Sequence, residues 1–129
     1  MEILTLFFLF IAFELFESNW QKADTLHGVI LNNFKLYSKS IFLFFICHMS
    51  FYYSIYLAIT LNNFGFWMSS IIIIKFLDIA FKLSMMKKLS QGIDIMEIMP
   101  INIKMTLVFR YFNVIIYPLT FLFAMEIFL

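Results

Sequence analysis

Charge is scarce in this chain. Only 13% of its 129 residues are Asp, Glu, Lys or Arg, whereas soluble domains carry about 25%. A soluble fold of this length buries only about two thirds of its unfolded surface. With 64% hydrophobic and 21% aromatic residues and a mean hydropathy of +0.95, it would leave wide apolar patches in water. The composition excludes a soluble enzyme and a disordered chain. Nine cations spread against eight acids also form no basic face for nucleic acid.

Other absences narrow the chemistry. One cysteine, Cys47, forms no intramolecular disulfide and no zinc set. The three glycines, Gly28, Gly65 and Gly92, make neither a GxxxG helix pair nor a phosphate-cradling loop. No Ser/His/Asp set or paired carboxylate motif occurs, and the adjacent Cys47 and His48 point about 100° apart on a helix with no third ligand. His27 and His48 stand on different segments and at different depths, which argues against a haem pair. The reading is therefore a protein that is not an enzyme and that holds no cofactor and no metal. Eight lysines beside one arginine, with 19 Phe, resemble the codon bias of an AT-rich bacterial genome.

What remains is a set of long apolar runs. A hydrocarbon core about 30 Å thick takes about 20 residues of helix. Four stretches qualify: about 3–19, 41–61, 64–83 with a helical extension to about 91, and about 105–128. The first begins with Glu2 instead of a basic segment and lacks an A-x-A site, so it reads as a span and not as a signal peptide. Residues 20–38 place Trp20, Ala23, Leu26, Ile30, Phe34 and Tyr37 at three- and four-residue spacing opposite Lys22, Asp24, Asn33 and Lys35, which predicts an amphipathic helix at a membrane surface. The expected fold is all-α: a polytopic integral membrane protein of one domain, with four transmembrane helices plus an amphipathic interfacial helix.

Lys22, Lys35 and Lys39 lie between spans one and two, and Lys82, Lys87, Lys88 and Lys104 flank the connection between spans three and four. The positive-inside rule then puts both connections inside and both termini outside, in a bacterial cytoplasmic membrane. Asn62, Asn63 and Gly65 predict a tight outer turn. Gly92 suits a helix C-terminus, and Asp94 with Glu97 resembles a capping box closed by Pro100. Leu31-Asn32-Asn33-Phe34 is echoed by Leu61-Asn62-Asn63-Phe64, but the copies fall on opposite membrane sides, which argues against duplication.

The polar residues inside the spans carry the functional signal. Glu14, His48, Asp78 and Arg110 each lie some five to seven residues from the inner end of their span, one per helix, at about 1.5 Å of rise per residue. Lys75 is deeper and shares a helical face with Asp78 and Lys82. A charge at mid-bilayer costs about 2.5–3.5 kcal/mol on insertion scales, so Lys75 is expected inside the bundle, balanced with Arg110 by Glu14 and Asp78. Thr106, Arg110, Asn113, Tyr117 and Thr120 define one face of the fourth span, and His48, Tyr52, Tyr56 and Thr60 one of the second. Together these faces outline a narrow polar path, with Pro118 freeing the carbonyl of Val114. Cys47, Ser50, Ser54 and Ala58 form a small-residue face on the opposite side of the second span, expected to pack against another helix or another subunit.

Size and the place of Glu14 are similar to those of small four-helix multidrug-resistance transporters, whose helices are glycine-rich where these are not. Two functions fit the pattern. One is a non-catalytic membrane subunit, whose partners are the lipid bilayer and either other membrane subunits or further copies of itself, with no nucleic acid. The other is a small transporter or channel-like protein with a proton- or ion-linked polar path.

Overall fold

The structure is a computed structural model that describes residues 2–126; Ile127 and Phe128, the last residues of the expected fourth span, lie outside the described residues. It is all-α. Eight helices follow one another: α1 (Ile3–Gln21), α2 (Leu26–Lys39), α3 (Ile41–Ile46), α4 (Met49–Thr60), α5 (Phe66–Ser90), α6 (Ile95–Ile98), α7 (Leu107–Arg110) and α8 (Phe112–Ala124). Among the described residues the only extended pairing is an isolated bridge between Thr25 and Lys104.

Among the described residues α1 is the one helix long and apolar enough to cross a membrane. At 25 residues α5 is longer, but it carries Lys75, Asp78 and Lys82 along its apolar length. The apolar α8 has 13 residues, about 20 Å of helix.

Three helix boundaries depart from the sequence reading, each for a local reason. The amphipathic helix starts at Leu26 and not at Trp20, because α1 continues through Trp20 to Gln21 before the chain turns. Thr25 caps the new start by accepting the Gly28 N–H at 3.1 Å. Gly28 is required by this turn, since a Cβ there would stand 2.6 Å from the Ala23 Cβ. The second stretch, read as one helix over 41–61, is interrupted at Cys47 and His48, where His48 adopts φ −89° and ψ 58°. The fourth begins only at Leu107 and is interrupted at Tyr111. Its first residues are extended because Met105 donates its N–H to the Asp24 carbonyl at 2.8 Å, while Leu26 donates to the Ile103 carbonyl at 2.9 Å. Pro118 sits buried within α8 without ending it.

Other turns follow the reading. Gly92 has φ +84°, and the N–H groups of Gly92 and Ile93 close on the carbonyls of Leu89 and Lys88, the paired bonds that end a helix on a left-handed residue. Asp94 caps α6 through the Met96 N–H at 3.5 Å. The two Leu-Asn-Asn-Phe segments differ in role. Asn62 is left-handed and Asn63 binds the Gly65 N–H at 3.0 Å within a turn. Asn32 lies inside α2 and donates to the carbonyls of Gln21 and Lys22, at the C-terminal end of α1.

Packing divides the molecule into two apolar cores. Leu6, Phe10, Tyr53, Leu57, Met68, Ile71 and Phe121 fill the end nearer the Asn62 turn. Ile30, Phe44, Met85 and Met86 fill the end where α2 docks on α3 and α5. Buried charged residues lie between them. Gly28→Val should lower the melting temperature of the detergent-purified protein, at a cost of about 1–3 kcal/mol from overpacking. Gly65→Ala, whose Cβ would meet only the Asn63 Oδ1 at 3.2 Å, should shift it far less, and equal shifts would count against the close approach at Ala23.

Candidate functional site

The buried polar cluster is built from one face of α1. Leu6, Phe10, Glu14, Glu17 and Gln21 follow at steps of four, four, three and four, so an apolar stripe turns polar halfway along the helix. Glu14 is fully buried and forms an ion pair with Lys75 of α5, whose side chain is 6% exposed. The Lys75 ammonium also donates to the Ser50 Oγ at 2.7 Å and lies 3.8 Å from the Tyr117 ring centroid. A carboxylate, a hydroxyl and an aromatic face thus surround one buried cation, while the second Glu14 oxygen, Oε2, has no hydrogen-bond partner among the described residues.

Beside this pair lies the break between α3 and α4, whose backbone groups are satisfied by side chains. Glu17 accepts the Ser50 N–H at 2.8 Å, a carboxylate at the positive end of α4. Trp20 donates its indole N–H to the Cys47 carbonyl at 3.2 Å, and its ring stands edge-on to His48. His48 binds the Phe44 carbonyl through Nδ1 at 2.7 Å. A carbonyl only accepts, so Nδ1 carries the proton and Nε2 of the neutral ring is an acceptor. That Nε2 is buried with no hydrogen-bond partner among the described residues. A cavity of about 10 Å³ borders Glu17, His48, Ser50, Lys75, Asn113 and Tyr117, room for one water.

Glu14, Lys75, His48 and Tyr117, all singled out from the sequence, therefore come together. Asp78 borders the same small cavity but does not pair with Lys75. It pairs with Lys82 at 2.9 Å on the helix exterior, its side chain 46% exposed, because one helical turn aligns the two along the surface. Arg110 pairs instead with Asp24 at 2.9 Å, in the turn after α1. Asn113 is exposed but borders the buried cavity. The expected layer of one charge per helix at a common depth is thus replaced by a buried pair with two outlying pairs.

On the second stretch the tyrosine face departs from the reading and the small face does not. Tyr52 and Tyr56 are 45% and 47% exposed and Thr60 is exposed, so they line no internal path with Tyr117. Thr120 closes on its own helix, donating to the Ile116 carbonyl at 2.7 Å. Ser50, Ser54 and Ala58 are fully buried and Cys47 half-buried, because α4 presses this small face against α1 and α5. It is an internal packing face, which leaves any contact with another subunit to a different surface. Sequence reasoning missed Glu17, Trp20 and Tyr53, whose hydroxyl donates to the Leu6 carbonyl at 2.8 Å. The apolar-to-polar stripe from Leu6 to Gln21 was the signal that would have found Glu17.

A second, larger cleft of about 140 Å³ adjoins the first and shares Glu17 and Asn113 with it; its rim carries Lys22, Lys82 and Arg110. Among the described residues no three His, Cys, Asp or Glu side chains gather as a metal site. Comparison with known proteins gives no match: no protein-family model, no curated protein and no solved structure is similar to the chain.

Removing one member of the buried pair strands the other. Glu14→Gln should destabilise the purified protein by about 3–5 kcal/mol, whereas Glu14→Leu with Lys75→Met should recover most of the loss. Asp78→Asn, which breaks a partly exposed pair, should cost no more than about 1 kcal/mol. Thermal unfolding in a single detergent compares all three, and a larger loss for Asp78→Asn than for Glu14→Gln would refute this assignment of Lys75's partner.

Proposed function

We propose that the chain is a small polytopic membrane protein that acts by assembly: a non-catalytic subunit that anchors or stabilises a larger membrane complex or a homo-oligomer. The observation that carries this reading is the enclosure of Lys75. Its ammonium is occupied by Glu14, Ser50 and the Tyr117 ring, beside space for a single water, so its charge is spent on fixing helix register. In this reading the chain makes four passages: α1, α3 with α4, α5, and α7 with α8. Interrupted helices are compatible with a bilayer where the broken backbone is buried in protein, as it is at Cys47 and His48. The outer face of α5 presents Ile73, Ile74, Phe76, Leu77 and Phe81, each more than half exposed, to lipid or to a neighbouring subunit. In this reading both basic connections face the cytoplasm and both termini face out.

The ion-linked path remains the second reading. It is favoured by the polar continuity from the larger cleft through Glu17 and Asn113 to the buried His48 Nε2. Beyond Lys75, however, Phe10, Phe121 and Leu57 pack into an apolar core in which the Tyr53 hydroxyl is occupied by the Leu6 carbonyl.

One measurement tests the shared topology and two more separate these alternatives. A cysteine at Ser38, in a background without Cys47, should be shielded from an impermeant thiol reagent in intact cells, and one at Asn63 should be labelled; the opposite pattern refutes the topology. Purification from native membranes should bring down a stoichiometric membrane partner or a homo-oligomer. Proton or ion flux by the purified chain in liposomes, abolished by the folded Glu14→Leu, Lys75→Met variant, would replace the subunit reading with the transport one.

A further inference from the structure

The larger cleft is not used by the buried pair. It lies where the turn after α1, the middle of α5 and the end of α7 converge, and each brings one cation: Lys22, Lys82 and Arg110. Gln21 and Asn113 add neutral polar groups, and Glu17 is the single carboxylate among the lining residues. Glu17 is engaged with the Ser50 N–H, at the positive end of α4. The lining charge therefore favours an anion, three cations to one carboxylate.

The three cations differ in how firmly they are held. Lys22 forms no ion pair among the described residues. Lys82 holds Asp78 and also donates to the Gln21 Oε1 at 2.9 Å, while Arg110 holds Asp24 through one guanidinium nitrogen, Nη2. The Asp24 side chain is 93% exposed, so its attraction to Arg110 is screened by water and easily displaced. The Arg110 Nε is buried and has no hydrogen-bond partner, a charged donor in a residue that borders the cleft. Guanidinium recognises oxyanions through just such adjacent donors, Nε with an Nη, and a volume of about 140 Å³ admits a tetrahedral oxyanion.

We infer that this cleft is a binding site for a phosphate-type anion, held by Arg110 and Lys22 with Lys82 at the rim. The favoured source is the headgroup of an anionic phospholipid. Val29, Met105 and the half-exposed Phe109 border the same cleft and provide an apolar wall along which an acyl chain can leave. Basic pockets between helices at the cytoplasmic side are a recurrent way of holding such headgroups. The lipid source rests on the membrane reading above, but the anion site does not depend on whether the protein is a subunit or a transporter.

The test uses the full chain purified in a neutral detergent. In the first arm, native mass spectrometry measures retention of phosphatidylglycerol against phosphatidylcholine. In the second, melting temperature is followed with inorganic phosphate against chloride at equal ionic strength. Preferential retention of phosphatidylglycerol is expected, with Lys22→Gln and Arg110→Gln each weakening it about five-fold. Asp24→Asn, which frees Arg110, should strengthen retention. Since Lys22 and Asp24 are exposed, these two variants remain informative even if Arg110→Gln unfolds. Saturable stabilisation by inorganic phosphate, lost in Lys22→Gln, without preference for phosphatidylglycerol would keep the anion site and assign it a soluble source. Equal retention of the two lipids with no phosphate effect would overturn the proposal. So would an equal loss in a Lys35→Gln, Lys39→Gln control on the exposed side of α2.

Discussion

A helix broken inside an apolar bundle must find partners for its freed N–H and C=O groups, because an unsatisfied buried group costs about 1–3 kcal/mol. The interruption at Cys47 and His48 imposes that constraint here, and α1 answers much of it. Glu17 takes the Ser50 amide, Trp20 reaches the Cys47 carbonyl, and His48 closes on the Phe44 carbonyl freed by its own turn. Glu14, one turn before Glu17 on α1, meets Lys75. The spacing of these residues on α1 thus sets its register against both α4 and α5. The break in turn exposes the positive end of α4 to a carboxylate, which lets two acidic side chains lie in the interior.

This polar layer separates two cores of different construction. On the Asn62 side, long helices pack aromatic rings together, Phe10 edge-on to Tyr53 at 5.6 Å and Phe13 tilted against Tyr53 at 4.8 Å between centroids. On the other side, short elements are held by specific polar contacts. His27 donates through Nε2 to the Met99 carbonyl at 2.8 Å, and its N–H binds the Asn102 side chain at 3.0 Å, so the segment before α7 is fastened to the start of α2. The segment is apolar and exposed at Met96, Ile101 and Ile103, a composition that suits the boundary of a bilayer more than open water.

Much of the helical content was legible from hydrophobic runs and from a few stop signals. The Gly92 terminus of α5 and the Asp94 cap of α6 rest on backbone preferences that hold in any environment. The breaks were not legible. Residues 44–51 contain no glycine or proline, and the interruption exists because Glu17 and Trp20, some 30 residues earlier, make it affordable. Helical spacing identified Asp78 as a neighbour of Lys75 on its own helix, but spacing along one helix carries no information about a carboxylate arriving from another. The small face of the second stretch was recognised correctly as a close-packing surface. Whether it met α1 and α5 or a second subunit depended on tertiary arrangement.

The Glu14 to Lys75 pairing also has a consequence in time. The two residues are 61 positions apart, and α1 is synthesised well before α5. Glu17 meets its amide partner once α4 exists, while Glu14 stays without its counter-charge until α5 docks. A chain that stalls or is cut between α4 and α5 therefore leaves Glu14 on α1 without its cation. The contact that holds the finished bundle together is thus also the one that waits for α5.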